Sequence, residues 1–221
     1  MTSRNDSLYA HLRIGVLALQ GAFAKHLEVL ARLGAQGREV RNATDLAELD
    51  GLIIPGGETT TMTKIMQSEG MIESVEAFGR SHPVFGTCAG MVLMGTKLED
   101  ERVHPFGWMP IRIIRNAYGS QVHSFRDVGS VKGIAGHPEV EMVFIRAPRF
   151  EPLSNDVEVI GTCRGLPVAA RYGSHLATAF HPELTDDDRI HRLWLDGVVK
   201  KVGESRIPQA RSAASKPQSS G

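Results

Sequence analysis

Apolar residues along the first half of the chain fall into two rhythms. Residues 12–19, "LRIGVLAL", form a nearly continuous apolar run, which predicts a short strand buried on both faces. "QGAF" at 20–23 turns the chain behind it. Phe23, Leu27, Leu30 and Ala31 then recur at helical spacing, and Gly34 marks the end of that helix. A short strand is expected near 36–41. "GLIIPGG" at 51–57 repeats the buried-strand rhythm and closes on Pro-Gly-Gly, with helical segments around 60–69 and 71–80. "PVFG" at 83–86 predicts a further strand and Ala89–Thr96 the helix behind it. Strands alternating with helices predict a parallel sheet with right-handed crossovers.

The second half changes character. Segments at 109–115, 128–132, 139–146, 157–162, 167–172 and 175–180 are short, β-rich and separated by Gly, Pro or Asn turns. Thr185, followed by Asp186, Asp187 and Asp188, predicts a helix start with acids on its first turn. Ile190, Leu193, Trp194 and Val198 supply the buried stripe of that helix. The first eleven residues are polar and are expected to form a loose arm. From about Gly203 the chain becomes polar and Pro/Ser-rich, which predicts a disordered tail over 203–221. One folded domain is expected between them, over 12–202.

Composition narrows the function classes. The 221 residues are 42% hydrophobic and 23% charged, and 25 Lys+Arg balance 25 Asp+Glu. A net charge of zero gives no footprint for nucleic acid or an anionic membrane. No run approaches the ~18 apolar residues of a membrane-spanning helix, and the N-terminus lacks a signal-like apolar stretch. Two cysteines do not make a disulfide framework. The expected compartment is the cytoplasm.

The two cysteines sit in near copies, "GTCAG" at 86–90 and "GTCRG" at 161–165. Cys88 follows a short apolar strand and opens a helix, which is the cysteine form of the G-x-S-x-G nucleophile elbow. A helix N-terminus favours thiolate, and the amide of Ala89 can donate to an oxyanion. The alternative for Cys88 is a small buried hydrophobe. Gly165-Leu-Pro167 leads Cys163 into another strand, so a hairpin-turn cysteine is expected there. A thiol nucleophile needs a base. His181 follows the strand "HLATAF" and lies in "FHPEL", where an extended His-Pro-Glu segment lets Glu183 orient the imidazole. "GHPEV" at 136–140 precedes a strand instead of ending one. No His or Cys lies at zinc-ligand spacing from His181. In "PGGETTT" (55–61), Gly56 and Gly57 can aim backbone N–H groups at an oxyanion. No lysine follows at the spacing of a phosphate-binding Walker loop.

Taken together, "IGVLALQGAFAKHLEVL", "GLIIPGGETTTM", "FGTCAGMVLM", "RNAYGSQVHSF", "VFIRAP" and "AFHPELTDD" resemble class I glutamine amidotransferases over roughly residues 12–200. The match is closer to one branch, the glutaminase subunits of pyridoxal 5′-phosphate synthase. This resemblance implies a flavodoxin-like or Rossmann-like three-layer α/β fold, mostly parallel, with antiparallel strands added in the C-terminal half. It implies hydrolysis of L-glutamine to glutamate and ammonia, with Cys88 as nucleophile, His181 as general base and acid, and Glu183 as orienter. Gly57 and Ala89 match the oxyanion donors. Gly56, Gly57, Glu58, Arg115, Ile145 and Arg146 match the glutamine site. No metal or organic cofactor is implied. The partner is a separate synthase subunit, in a large hetero-oligomeric complex, that receives the ammonia for vitamin B6 synthesis. Thr59 stands where the family usually has Ser, and Ser120 and His123 replace charged positions of a loop expected to touch the partner. The competing expectations are a Cys-His-Glu amidase or peptidase for other γ-glutamyl amides, and an inactive scaffold domain.

Overall fold

In the computed structural model of the chain, which describes residues 8–114 and 124–206, the first apolar run becomes β1 (Arg13–Leu17). Helix α1 (Phe23–Arg32) packs behind it through His26, Val29 and Leu30. Its C-terminus is a Schellman motif: Gly34 N–H donates to Ala31 C=O and Ala35 N–H to Leu30 C=O, with Gly34 at φ +78°. β2 (Gln36–Val40) and β3 (Gly51–Ile54) flank β1, both parallel to it. Helices α2 (Thr59–Ser68) and α3 (Ile72–Ser81) return the chain to β4 (Val84–Thr87), parallel to β3. A short α4 (Ala89–Met94) follows.

The remaining strands are β5 (Gly95–Leu98), β6 (Met109–Ile114), β7 (Ser124–Val131), β8 (Glu139–Ile145), β9 (Arg149–Pro152), β10 (Glu158–Cys163), β11 (Leu166–Tyr172) and β12 (His175–Thr178). The main sheet runs β2-β1-β3-β4-β12-β11-β10-β7-β8, and β5-β6-β9 form a second sheet. β12 enters parallel to β4 and then pairs antiparallel with β11, so it joins the parallel half to the antiparallel half. The order of the parallel half is the flavodoxin-like one, which places ligands outside the carboxyl ends of the strands.

Residue alternation along β4 separates the helical layers. Phe85 points at His26 of α1 and at His191 and Trp194 of α5 (Arg189–Arg206). A Cβ on the next residue, Gly86, would strike Met94 and Gly90 of α4. Successive side chains of a strand face opposite ways, so α1 and α5 cover one face and α4 the other.

Four expectations are corrected. The helix expected over Ala89–Thr96 ends at Met94, because Gly95–Leu98 pairs with β6. Tyr9 is not part of a loose arm: it is 3% exposed, and its hydroxyl donates to Asp196 at 2.6 Å. α5 does not begin at Thr185, whose hydroxyl accepts from Asp187 N–H; the first α-helical bond runs from Arg192 N–H to Asp188 C=O. α5 also continues past the expected boundary at 202, to Arg206. The expected arm over residues 1–7 and the expected tail beyond 206 lie outside the described residues. Among the described residues, no helix is long and apolar enough to cross a membrane.

Candidate active site

Four parallel strands deliver the site. Beyond β1 the chain carries Gln20, beyond β3 Gly56 and Gly57, beyond β4 Cys88, and beyond β12 His181. Cys88 sits at φ 50°, ψ −100°, a conformation that costs a non-glycine residue roughly 1–3 kcal/mol. Hydrogen bonds on both sides hold it there: Cys88 N–H donates to Thr178 C=O at 2.8 Å, and Cys88 C=O accepts from Val92 N–H at 3.2 Å. Close packing explains the last glycine of "GTCAG". A Cβ on Gly90 would lie 2.0 Å from the Ile54 carbonyl oxygen, so any larger residue pushes α4 off β3.

His181 follows β12, the strand paired with β4. His181 N–H donates to Val143 C=O at 2.8 Å, and Phe180 meets Phe144 edge to face, so β8 folds back over the end of β12. Pro182–Leu184 is a 3-10 turn, not the extended segment expected, and Pro182 supplies the preset φ at its first position. The turn brings Glu183 Oε1 to 2.7 Å from His181 Nδ1. His181 is 6% exposed and Glu183 3%. Burial works against a charged imidazole, but Cys88 and Glu183 together outweigh it and raise the His181 pKa to about 10. Burial likewise works against the Glu183 carboxylate, yet His26 and His181 hold its pKa below the usual value. Among the described residues, no partner meets ordinary hydrogen-bond geometry at His181 Nε2, the nitrogen not engaged by Glu183. The Cys88 thiol donates to the Ile145 carbonyl at 3.6 Å.

A cavity of about 280 Å³ joins these groups, a size suited to a small molecule. Gly56, Gly57, Glu58, Cys88, Ala89, Ile145, Arg146 and His181 all line it. Gly56 is a glycine because a Cβ there would lie 2.1 Å from the His181 ring. Arg146 takes φ +47° at the rim. The Glu58 carboxylate is already engaged: it caps α2 through the N–H and hydroxyl groups of Thr60 and Thr61. Burial opposes these four bonds, which still hold its pKa down at about 2. Thr59, buried, also lines the cavity. Arg115, Ser120 and His123 lie outside the described residues. Among the described residues, no three His, Cys, Asp or Glu side chains gather to hold a metal ion.

The second cysteine is elsewhere. Cys163 closes a two-residue hairpin with Arg164 and Gly165 both at positive φ, the geometry of a type I′ turn. Burial, then the nearby Asp127 carboxylate, pushes its thiol pKa up. The exposed His137 of "GHPEV" does not line the cavity.

Sequence reasoning gave no role to a pair of histidines behind Glu183. His26 and His191 are fully buried, their ring nitrogens 2.9 Å apart, and His26 Nε2 lies 3.5 Å from Glu183 Oε2. His26 lies three residues after Phe23 and four before Leu30, in phase with the buried stripe of α1, and that spacing was the available signal. Burial lowers the pKa of both histidines below 6.5. As pH falls below 6.5, the unfolded chain takes up protons that the folded chain refuses, and stability is lost. His181 does not offset this, because the contribution of a raised pKa is already complete below 6.5. Between pH 6.5 and 5 the unfolding free energy should therefore fall by up to about 1.4 kcal/mol per pH unit for each histidine. Urea unfolding curves measured across that range check the slope.

Comparison with known proteins gives the family. The SNO glutamine amidotransferase family matches residues 16–200. "Pyridoxal 5′-phosphate synthase subunit PdxT" of Streptomyces avermitilis is 48% identical over 200 residues, covering 89% of this chain and 97% of the relative. The protein of the same name from Niallia circulans is 46% identical over 186 residues, covering 84% and 97%. A crystal structure of a glutamine amidotransferase superposes with a TM-score of 0.77 at 41% identity, covering 84% of this chain and 98% of that one.

Proposed function

This chain belongs to the SNO glutamine amidotransferase family, and on that premise we propose that it hydrolyses L-glutamine to L-glutamate and ammonia as the glutaminase subunit of a pyridoxal 5′-phosphate synthase. The observation that carries the reading is the shared cavity: the Cys88 elbow and the Glu183-paired His181 meet there beside the glycines of "PGGE". The Cys88 thiolate attacks the side-chain amide carbon of glutamine. The N–H groups of Gly57 and Ala89 receive the oxyanion. His181, carrying the thiol proton on Nε2, delivers it to the departing ammonia and then takes a proton from the water that cleaves the γ-glutamyl thioester. Glu183 stabilises the imidazolium throughout. Gly56, Glu58, Ile145 and Arg146, which line the cavity, border the glutamine. A separate synthase subunit receives the ammonia.

Ammonia release from glutamine, measured with and without that subunit, tests the reading. Weak activity alone, at least tenfold activation by the partner, and no turnover of γ-glutamyl peptides are expected. Peptide turnover would favour the amidase alternative, and no ammonia under either condition would favour the scaffold.

The loops also suggest how the partner acts. Ala22 N–H donates to Gly56 C=O at 3.2 Å, and Glu58 N–H donates to Gln20 Oε1 at 2.7 Å, so "QGAF" holds the "PGGE" peptides in place. Gly21 has φ +96°, and a Cβ there would lie 1.9 Å from the Gly56 oxygen. Gly21→Val should therefore lower partner-stimulated turnover on the order of 10²-fold, the scale of a lost oxyanion donor, with a much smaller change in KM. Steady-state kinetics with saturating synthase subunit check this.

A further inference from the structure

We infer that His26 is a positioning residue for Glu183, and that His191 fixes the ring proton with which it acts. Glu183 Oε1 is taken by His181 Nδ1 at 2.7 Å. Oε2 is fully buried, and among the described residues it has no hydrogen-bond partner of ordinary geometry, a costly state for a carboxylate oxygen. His26 Nε2 lies 3.5 Å from it and 3.3 Å from the hydroxyl of Thr87. An N–H on Nε2 would point between two acceptors.

The ring pair decides where that proton sits. His26 Nδ1 and His191 Nε2 are 2.9 Å apart, so one donates and the other accepts. His191 Nδ1, the far end of the pair, is buried and has no hydrogen-bond partner among the described residues. If His26 donated from Nδ1, His191 would carry its proton on that orphaned nitrogen, and a bare His26 Nε2 would face the carboxylate. If His191 Nε2–H donates instead, the orphan is an acceptor, which folded proteins tolerate better than a buried unpaired N–H. His26 Nε2–H then faces Glu183. Only this arrangement gives every close contact a donor and an acceptor, running from His191 through His26 and Glu183 to His181.

Both rings stand edge-on to Phe85, at 6.2 Å and 5.4 Å between centroids, which fixes their planes in a dry setting. The charged or titratable groups acting on the pair are Glu183, His181 and Arg32. Burial keeps both rings neutral, and neutrality serves the chemistry. A cation beside Glu183 would cancel the charge that His181 needs, whereas a neutral N–H orients the carboxylate and leaves its charge in place. Contacts of this kind are often long in an unliganded enzyme and shorten as the reaction proceeds.

This role, which rests on the glutaminase reading, is tested by kinetics with the synthase subunit present. His26→Leu should lower kcat roughly tenfold to a hundredfold, the range for an outer partner of a catalytic side chain, with KM within about twofold. The acid limb of the kcat profile should move to higher pH, because Glu183 is easier to protonate without the donor. His26→Gln, which restores an N–H near Nε2, should recover most of kcat and return the limb. A folded His26→Leu with unchanged kcat and acid limb, or a folded His26→Gln no better than the leucine variant, would overturn the role. Nitrogen-15 NMR of histidine-labelled wild-type chain needs no variant to fold. Both rings should be neutral Nε2–H tautomers across roughly pH 6–8, and an Nδ1–H tautomer at His26 would overturn the role. Absence of wild-type ammonia release would count against the glutaminase reading alone, since the ring proton is observed without turnover.

Discussion

Cys88→Ala abolishes ammonia release from glutamine in the presence of the synthase subunit, while the melting temperature stays the same or rises. A glutamine-like electrophile labels Cys88 in the wild-type chain and leaves Cys163 unmodified; Cys163→Ser changes turnover only slightly. Three observations lead to this expectation. Cys88 lines the cavity with His181, whereas Cys163 lies at a hairpin end beside Asp127. The Cys163 thiol pKa is pushed up by burial and by that carboxylate, which disfavours the nucleophilic thiolate. Cys88 also holds φ 50° through backbone bonds to Thr178 C=O and from Val92 N–H, and alanine keeps both bonds and adds nothing beyond the Cβ already there. Peptide mapping by mass spectrometry decides the labelling. Modification at Cys163 alone would reject the elbow as the nucleophile.

Glu183→Gln lowers kcat by ~10²–10⁴, the scale of removing the orienting acid from a triad, and leaves KM nearly unchanged. The substitution keeps the size of the side chain in a site with no room to spare, so the loss reports charge rather than packing. Glu183 contributes to the raised pKa of His181 both through the 2.7 Å bond to Nδ1 and through its charge. A neutral amide supplies neither reliably: it can present an N–H to Nδ1 and trap the wrong tautomer. His181→Asn should be at least as damaging. Single-turnover measurements of thioester formation and breakdown would place the loss on both steps, because His181 moves a proton in each. Near-normal kcat in Glu183→Gln would mean that another acid serves His181.

What could be read from the chain follows from the range of the forces involved. "PGG", "GTCAG" and "HPE" were legible because each closes a buried strand, and the glycines and proline that shape those turns act locally. Their convergence was not local, and the resemblance to a family supplied it. β5 was misread as the end of a helix because "GTKL" becomes a strand only by pairing with β6, across an intervening loop. β9, "RFEP", has no apolar alternation and owes its state to the same small sheet. Tyr9 sits in a polar stretch, and its packing into the core together with its bond to Asp196 on α5 draws it inward. His26 was passed over because a histidine inside an apolar rhythm looks like an interruption, until the partner from α5 shows that the buried face was built to hold it.

β12 lies between β4 and β11 in the finished sheet. On the ribosome that order has a temporal meaning. β4 emerges, with Cys88 behind it, well before β12 exists, and at about 5–20 residues per second its outer edge waits unpaired for roughly 5–20 s. An apolar strand with a free edge is a template for adhesion to other chains, so this interval is when the nascent protein most needs a chaperone. The same delay acts as a safeguard. On the proposed mechanism, Cys88 has no base until His181 is translated and β12 slots in, so an unfinished chain releases no ammonia.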